Sequence, residues 1–200
     1  GEVYTRLDQT DFAPEMAQIR AANPDVVFQF HPGGLGIAFL RQYQQAGLLG
    51  KTPMVLAEPS LDATTLKAVG ESALGLSVTA HWNSDFDNAA NKKFMEAWTK
   101  AHNRAPTYYA SQGYDAALAI ASALKATGGK TDVPALRTAL AKADFQSVRG
   151  AFKFGPNQHP VQDWYALKVE KGADGTPVLK TTGTKVLSNH GDVYAKDCKL

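Results

Sequence analysis

The chain has 200 residues, 44% of them hydrophobic and 20% charged, with a formal net charge of +2. That balance describes a globular chain able to bury a core and excludes a disordered or collagen-like one. Nucleic acid and anionic membranes are not expected partners, because no basic run interleaved with aromatics is present. No apolar stretch is long enough to span a bilayer, and no charged n-region precedes an apolar one as in a signal peptide. The start at Gly1-Glu2-Val3-Tyr4 already reads as strand, as expected of a secreted chain without its leader. Cys198 is the only cysteine, so neither an internal disulfide nor a cysteine-built zinc site is expected.

In chain order, Val3 to Leu7 alternates like a strand. Thr10 or Asp11 caps a helix with Phe12, Met16 and Ile19 at helical spacing and Pro14 in its first turn; Asn23-Pro24 stops it. Asp25 to Phe30, rich in β-branched and aromatic residues, reads as a buried strand. A glycine-rich turn from His31 to Gly36 leads into a helix ending near Gly47. Met54 to Ala57 is a short strand, Asp62 caps a helix carrying Leu66 and Val69, Gly70 ends it, and Leu76 to Ala80 is another strand. Strand and helix alternating through short connections predict an α/β fold with a doubly wound parallel sheet. Ligands on such sheets bind at the carboxyl ends of the strands, here after Phe30, Ala57 and Ala80.

The pattern changes after Ala80. His81 to Asn88 reads as a crossing segment, and three helices follow. The first runs over about 89–102, with Phe94 and Trp98 on one face. The second runs over about 109–127, with Ala117, Leu118, Ala121 and Leu124 facing inward, and Gly128-Gly129 ends it. The third covers about 133–143. Ala151 to Phe154 and Trp164 to Val169 read as strands around the turn Gly155-Pro156-Asn157-Gln158. The last 25 residues or so are polar and without strong periodicity. A helical layer buries its apolar stripe against something: either these helices pack on each other, or the sheet they cover lies outside this chain.

Several residues carry chemistry. Gly34-Leu35-Gly36 begins like a dinucleotide fingerprint, with Glu58 near the place of a ribose-binding acid, but Phe39 stands where the third small residue is needed. No Gly-Lys-Ser/Thr follows, which excludes a P-loop. What remains is a helix N-terminus with uncovered N–H groups, suited to a carboxylate. None of the five histidines, His31, His81, His102, His159 and His190, pairs with another at ligand spacing, so no metal site is expected. His102 reads as solvated at a helix end; His31 and His81 each follow a strand and either line a cleft or have a packing role. There is no Gly-x-Ser-x-Gly elbow, and Ser60 lies in the turn Glu58-Pro59-Ser60. Glu58 has two readings, a partner for a ligand cation or a helix-opening charge, and no second carboxylate is spaced with it for acid/base work. Trp82 sits in the crossing segment. Tyr108 and Tyr109 open a helix with Gln112 a turn later, as a helix staple or as a pocket wall with polar tips.

An ordered set of segments gives the sequence a family resemblance. It comprises Thr10-Asp11-Phe12; Asn23-Pro24-Asp25-Val26-Val27-Phe28 before a Pro-Gly-Gly turn; and Phe39-Leu40-Arg41-Gln42 leading to Ala46-Gly47-Leu48. It continues with Asp87-Asn88-Ala89-Ala90-Asn91-Lys92-Lys93-Phe94, with Ala105-Pro106-Thr107-Tyr108-Tyr109-Ala110-Ser111-Gln112-Gly113-Tyr114-Asp115-Ala116, and with Phe152-Lys153-Phe154 through Asn157-Gln158-His159-Pro160-Val161-Gln162-Asp163. From about residue 2 to 195 the chain resembles periplasmic solute-binding proteins of the branched-chain amino acid type, which have the type I periplasmic-binding fold.

The resemblance implies two α/β lobes joined by three crossing segments, with a ligand trapped in the cleft between them and hinge motion at the crossings. One lobe is expected to be nearly complete here and the other partial. Residues 1–80 and 161–200 belong to the second lobe and 81–160 to the helical part of the first, which accounts for helices without a sheet. Family members are nearly twice as long, so the positions that usually hold the ligand's carboxylate and amine through small hydroxyl and backbone groups are expected outside this chain. The family's ligand contacts correspond to His31, Pro32 and Gly33, to Glu58, to the crossing near Trp82, and to Tyr108 or Tyr109, with Gln112 beside them. In amino-acid-binding members an acid near Glu58 pairs the ligand ammonium. The function implied is the periplasmic solute-binding component of an ABC transporter. It would take a small carboxylate, either a branched-chain amino acid or an aromatic acid, and hand it to a membrane permease, with no catalysis and no cofactor. A ligand-sensing receptor of the same fold is one alternative, and a NAD- or nucleotide-dependent α/β enzyme using the Gly33–Gly36 turn is another. A chain of this extent is expected to bind solute weakly or not at all and to self-associate through uncovered helices.

Overall fold

The strand–helix alternation of the first 80 residues is realised from Ala13 onward in a computed structural model, which describes residues 1–198. The chain forms two units, one of residues 1–80 and 166–182, the other of residues 81–165 and those from 183 on.

In the first unit α1 spans Ala13–Ala22. Pro14 sits in its first turn, where its missing N–H costs nothing, and Asp11 Oδ1 accepts the Ala13 N–H at 2.9 Å. Asn23 closes the helix in the left-handed region, φ 43°. The strand β1 (Val27–Gln29) leads to α2 (Gly34–Gln45). Next come β2 (Met54–Ala57), a 3₁₀ turn over Glu58–Ser60, α3 (Ala63–Val69) and β3 (Ser77–Ala80). Asp62 caps α3 by accepting the Thr65 N–H at 2.8 Å. The strands β1, β2 and β3 pair in parallel in that order, Phe28 beside Val55 and Leu56 beside Val78. Phe12, Leu40, Tyr43, Leu56, Leu61 and Val78 form the buried apolar interior of this unit.

The second unit holds α4 (Ala89–His102), α5 (Tyr108–Ala126) and α6 (Val133–Ala141), each opened by a side-chain cap, from Asn88, Thr107 and Asp132. Its core joins Trp82, Phe94 and Val148, with Phe86, Met95, Trp98 and Tyr114 packed against them. The strand β4 (Phe152–Phe154) lies antiparallel to the start of β5 (Pro160–Lys171), Lys153 beside Val161. The strand β6 (Pro177–His190) pairs with β5, and a 3₁₀ turn follows at Ala195–Asp197. Beyond 165/166 the far end of β5 returns to the first unit, where Val169 exchanges backbone hydrogen bonds with Gly75 and Leu76 at the head of β3.

Four sequence expectations are corrected. Val3 to Leu7 forms no strand: alternation favours a strand but only a paired neighbour makes one, and Val3, Tyr4 and Leu7 are exposed. The strand β1 is buried on one face only, through Gln29, while Val26, Phe28 (66% exposed) and Phe30 face solvent on the other. It stands at the end of the strand order, where nothing among the described residues covers that face. Ala117 and Ala121 of α5 are exposed, because the helix buries Ser111, Asp115 and Ala123 instead. The apparently irregular tail contains β6, a 14-residue strand that is exposed along most of its length, so no burial periodicity marks it.

Candidate functional site

In the first unit the turn after β1 is fixed by its own polar contacts. Gln29 Nε2 lies 2.9 Å from His31 Nδ1, and Thr5 Oγ1 lies 2.8 Å from His31 Nε2. Both ring nitrogens of His31 are thus engaged by side chains of its own unit. The ring stacks on Phe39 at 4.8 Å and meets the edge of Phe12 at 5.6 Å. Burial pushes the His31 pKa down, partly opposed by the Glu15 carboxylate. The His31 backbone N–H donates to Ser60 Oγ at 2.8 Å, which ties the turn after β1 to the turn after β2. The imidazole therefore holds the turn from behind, while Pro32, Gly33 and Gly34 are exposed in front.

The two glycines that matter here have different reasons. Gly33 has φ 61°, a conformation that favours glycine. A Cβ on Gly36 would collide with the His31 carbonyl oxygen and approach that of Ser60 at 2.9 Å. The apparent nucleotide fingerprint is thus a close-packing requirement. The first intrahelical bond of α2 runs from the Ile37 N–H to Gly33 O at 3.2 Å, so the N–H groups of Gly34, Leu35 and Gly36 precede the helical ladder. Glu58, the first residue after β2, is buried.

In the second unit Trp82 is part of the core. It is 3% exposed, its Nε1–H donates to Asn91 Oδ1 at 2.8 Å, and its ring meets Phe94 edge-on at 6.1 Å. Tyr108 and Tyr109 lie with ring centroids 4.1 Å apart, Tyr109 half exposed and Tyr108 partly buried. Gln112, one turn on, is partly exposed, with its Nε2 3.5 Å from His81 Nε2. His81 completes the group. It is 6% exposed and meets Tyr108 at 5.8 Å and Trp164 at 5.2 Å, both edge-on. Burial first, then the positive charge of Arg149, pushes its pKa down to about 3.

Sequence reasoning left His81 open and did not single out Trp164. The signal for His81 was its position directly after a strand end; Trp164 gave none, because its strand reads as ordinary core. The structure brings Tyr108, Tyr109, Gln112 and His81 together in one unit, and joins the turn after β1 to the 3₁₀ turn that Glu58 opens in the other. Among the described residues no group of three or more His, Cys, Asp or Glu side chains could hold a metal ion, and no helix is long and apolar enough to cross a membrane.

Three comparisons bear on this arrangement. The family model described as periplasmic binding protein matches residues 1–175. The chain is 34% identical over 175 residues to Leu/Ile/Val-binding protein homolog 6 of Brucella melitensis, covering 85% of this chain and 45% of that protein. Among solved structures, a solute-binding protein of an ABC transporter from R. palustris in complex with benzoate superimposes with a TM-score of 0.83 at 31% identity, over 96% of this chain and 51% of that one. Another from R. palustris, in complex with 4-hydroxybenzoate, gives 0.86 at 27% identity, over 94% and 52%. The chain therefore spans about half the length of the relatives it matches.

Proposed function

Because the chain belongs to the periplasmic binding protein family, we propose that the protein is the extracytoplasmic solute-binding component of an ABC transporter, taking a small carboxylated solute. The observation that carries this reading is the position of the candidate residues. His31, Pro32 and Gly33 follow β1, Glu58 follows β2 and His81 follows β3, the carboxyl ends where open α/β sheets receive ligands. The N-terminus of α2 suits the solute's carboxylate, since its leading N–H groups and the helix dipole favour an anion. Glu58 suits an ammonium when the solute is an amino acid. In the second unit, taken by itself, Tyr108 and Tyr109 present aromatic surface beside the polar Gln112. His31 and Trp82 act from behind, one fixing the turn after β1 and the other the segment after β3.

Both ligand classes of the relatives are compatible with this set: the curated relative is called a Leu/Ile/Val-binding protein homolog, and the R. palustris structures hold benzoate and 4-hydroxybenzoate. Binding shifts a conformational equilibrium towards the form that prefers the ligand, and a membrane permease recognises that form. No bond is made or broken. Calorimetric titration of the protein, produced at the full length of its reading frame, tests this with benzoate, 4-hydroxybenzoate, leucine and NAD. Saturable binding of a carboxylate with no NAD binding is expected. Binding of NAD alone would overturn the reading.

A further inference from the structure

We propose that His31 and Glu15 make solute capture proton-linked: the imidazole takes up a proton when a carboxylate settles at the N-terminus of α2, and Glu15 is the positioning residue that retains it. The inference rests on the solute-binding reading and deepens it by naming how the first unit responds to the charge of its ligand.

His31 stands at the turn that opens α2. Its backbone N–H donates to Ser60 Oγ at 2.8 Å, and Gly36, in the first turn of the helix, packs on its carbonyl oxygen. The ring lies between Gln29 and Thr5, at 2.9 and 2.8 Å. Two acceptors of this cluster are unused. Glu15 and Gln29 are 9% and 2% exposed, yet among the described residues neither Glu15 Oε2 nor Gln29 Oε1 receives a hydrogen bond. The other Glu15 oxygen accepts from the neutral Gln9 amide at 2.9 Å, and the carboxylate forms no ion pair among the described residues. A buried carboxylate without a cation is costly.

A neutral imidazole leaves both acceptors as they are, whereas an imidazolium donates from both nitrogens. A half-turn of the Gln29 amide brings Oε1 to Nδ1, Thr5 Oγ1 accepts from Nε2, and the new charge answers Glu15. Burial holds the His31 pKa below its ordinary value and Glu15 pulls it back, so two opposed influences set the charge of the ring and a third can tip it. The other charged groups of the elements around the ring are occupied. Tyr4 with Glu2 and Arg6 with Asp8 are exposed pairs, and Asp11 accepts the Ala13 N–H. Arg20 of α1 and Arg41 and Tyr43 of α2 donate to backbone carbonyls. Glu58 is buried at the head of the turn that carries Ser60.

An anion at the leading N–H groups of α2 favours the charged form of the ring behind them. While pH lies between the two pKa values of the imidazole, free and bound, the bound protein holds more protons than the free one. Affinity therefore rises as pH falls through that window and is level on either side of it.

Titration calorimetry of the full-length protein with benzoate, 4-hydroxybenzoate and leucine, at about pH 6 in buffers of different ionisation enthalpy, counts the protons taken up. Uptake is expected with each carboxylate that binds. Its affinity should fall about five- to tenfold from about pH 6 to about pH 8, the low end of the coupling between two sites. His31→Gln, which hydrogen-bonds but does not titrate, should bind without uptake and without that pH dependence. Glu15→Gln should need more acid for the same uptake. Should His31→Gln fail to fold, the displacement towards acid in Glu15→Gln supports the inference and an unchanged profile overturns it. Binding without proton uptake in wild type, or uptake that survives in His31→Gln, overturns it and leaves the solute-binding reading standing. Binding of none of the three removes both.

Discussion

Replacing Asp115 by alanine should destabilise the second unit severely. Asp115 is 2% exposed and accepts the Ser147 hydroxyl at 2.6 Å and the Val148 N–H at 3.0 Å. Its third partner is Arg149, whose Nε lies 3.2 Å from Oδ2. Arg149 in turn donates to Gln162 Oε1 at 2.9 Å and lies 5.1 Å from the ring centroid of Phe152. One carboxylate thus fastens α5 to the loop before β4 and neutralises a buried guanidinium. Removing one partner of a buried ion pair costs about 3–5 kcal/mol, because the other charge stays buried without compensation. The orphaned hydroxyl and N–H overlap with that figure and do not add to it in full. Against a typical total of about 5–15 kcal/mol this is a large fraction. At about 2–4 °C per kcal/mol for a chain of this size, the melting temperature should fall by about 6–20 °C. Asp115→Asn, which keeps an acceptor oxygen but loses the charge, should lie between. Scanning calorimetry of the three proteins at one concentration measures this. An alanine variant melting within about 2 °C of wild type would mean that the network contributes nothing net.

Two other outcomes follow from local geometry. Gly36→Ala should destabilise the first unit by about 1–3 kcal/mol, the range for forced overpacking, since its Cβ meets two backbone oxygens that no side-chain rotation can clear; a urea melt checks it, and a neutral substitution would show that the turn gives way freely. The Asp163 carboxyl is held below its ordinary value of 3.8 by its hydrogen bond from Lys185 and then by that from the Asn189 N–H. A carboxyl lowered on folding stabilises above its unfolded value, and the gain is lost as pH falls through the folded one. Lys185→Met should therefore melt below wild type at pH 6, with the gap closing under acid; a gap independent of pH would disprove the linkage.

Much of the fold was legible because burial imposes a period. Phe12, Met16 and the Asp11 and Asn23 signals at either end marked α1, and Asp62 with Leu66, Val69 and Gly70 marked α3 almost to the residue. Where one side of an element lacks a neighbour, the same reasoning misleads. Val26, Phe28 and Phe30 look like core yet are exposed, and Ala117 and Ala121 look inward yet face out. In α5 the inward face is chosen by Asp115, a charged residue whose partners lie more than thirty positions away, and hydrophobic spacing carries no trace of such a bond. The strand β6 escaped because pairing, not burial, holds it.

The candidate residues show the same division. Strand ends could be located, so His31, Glu58 and His81 stood out by position. Whether a side chain there turns towards solvent or inward depends on contacts such as Asn91 with Trp82 and Thr5 with His31, and the sequence does not encode these as a motif.

The three tryptophans occupy dissimilar surroundings, which gives the protein an optical reporter of its own. Trp82, held by Asn91 and almost wholly buried, should emit as a constant blue-shifted background. Trp98 lies beside the His102 ring at 4.2 Å and the Arg104 guanidinium at 5.2 Å, so its emission answers to those neighbours. Trp164 alone abuts His81, and its quenching or enhancement is a signal from that one corner of the molecule, readable without any label.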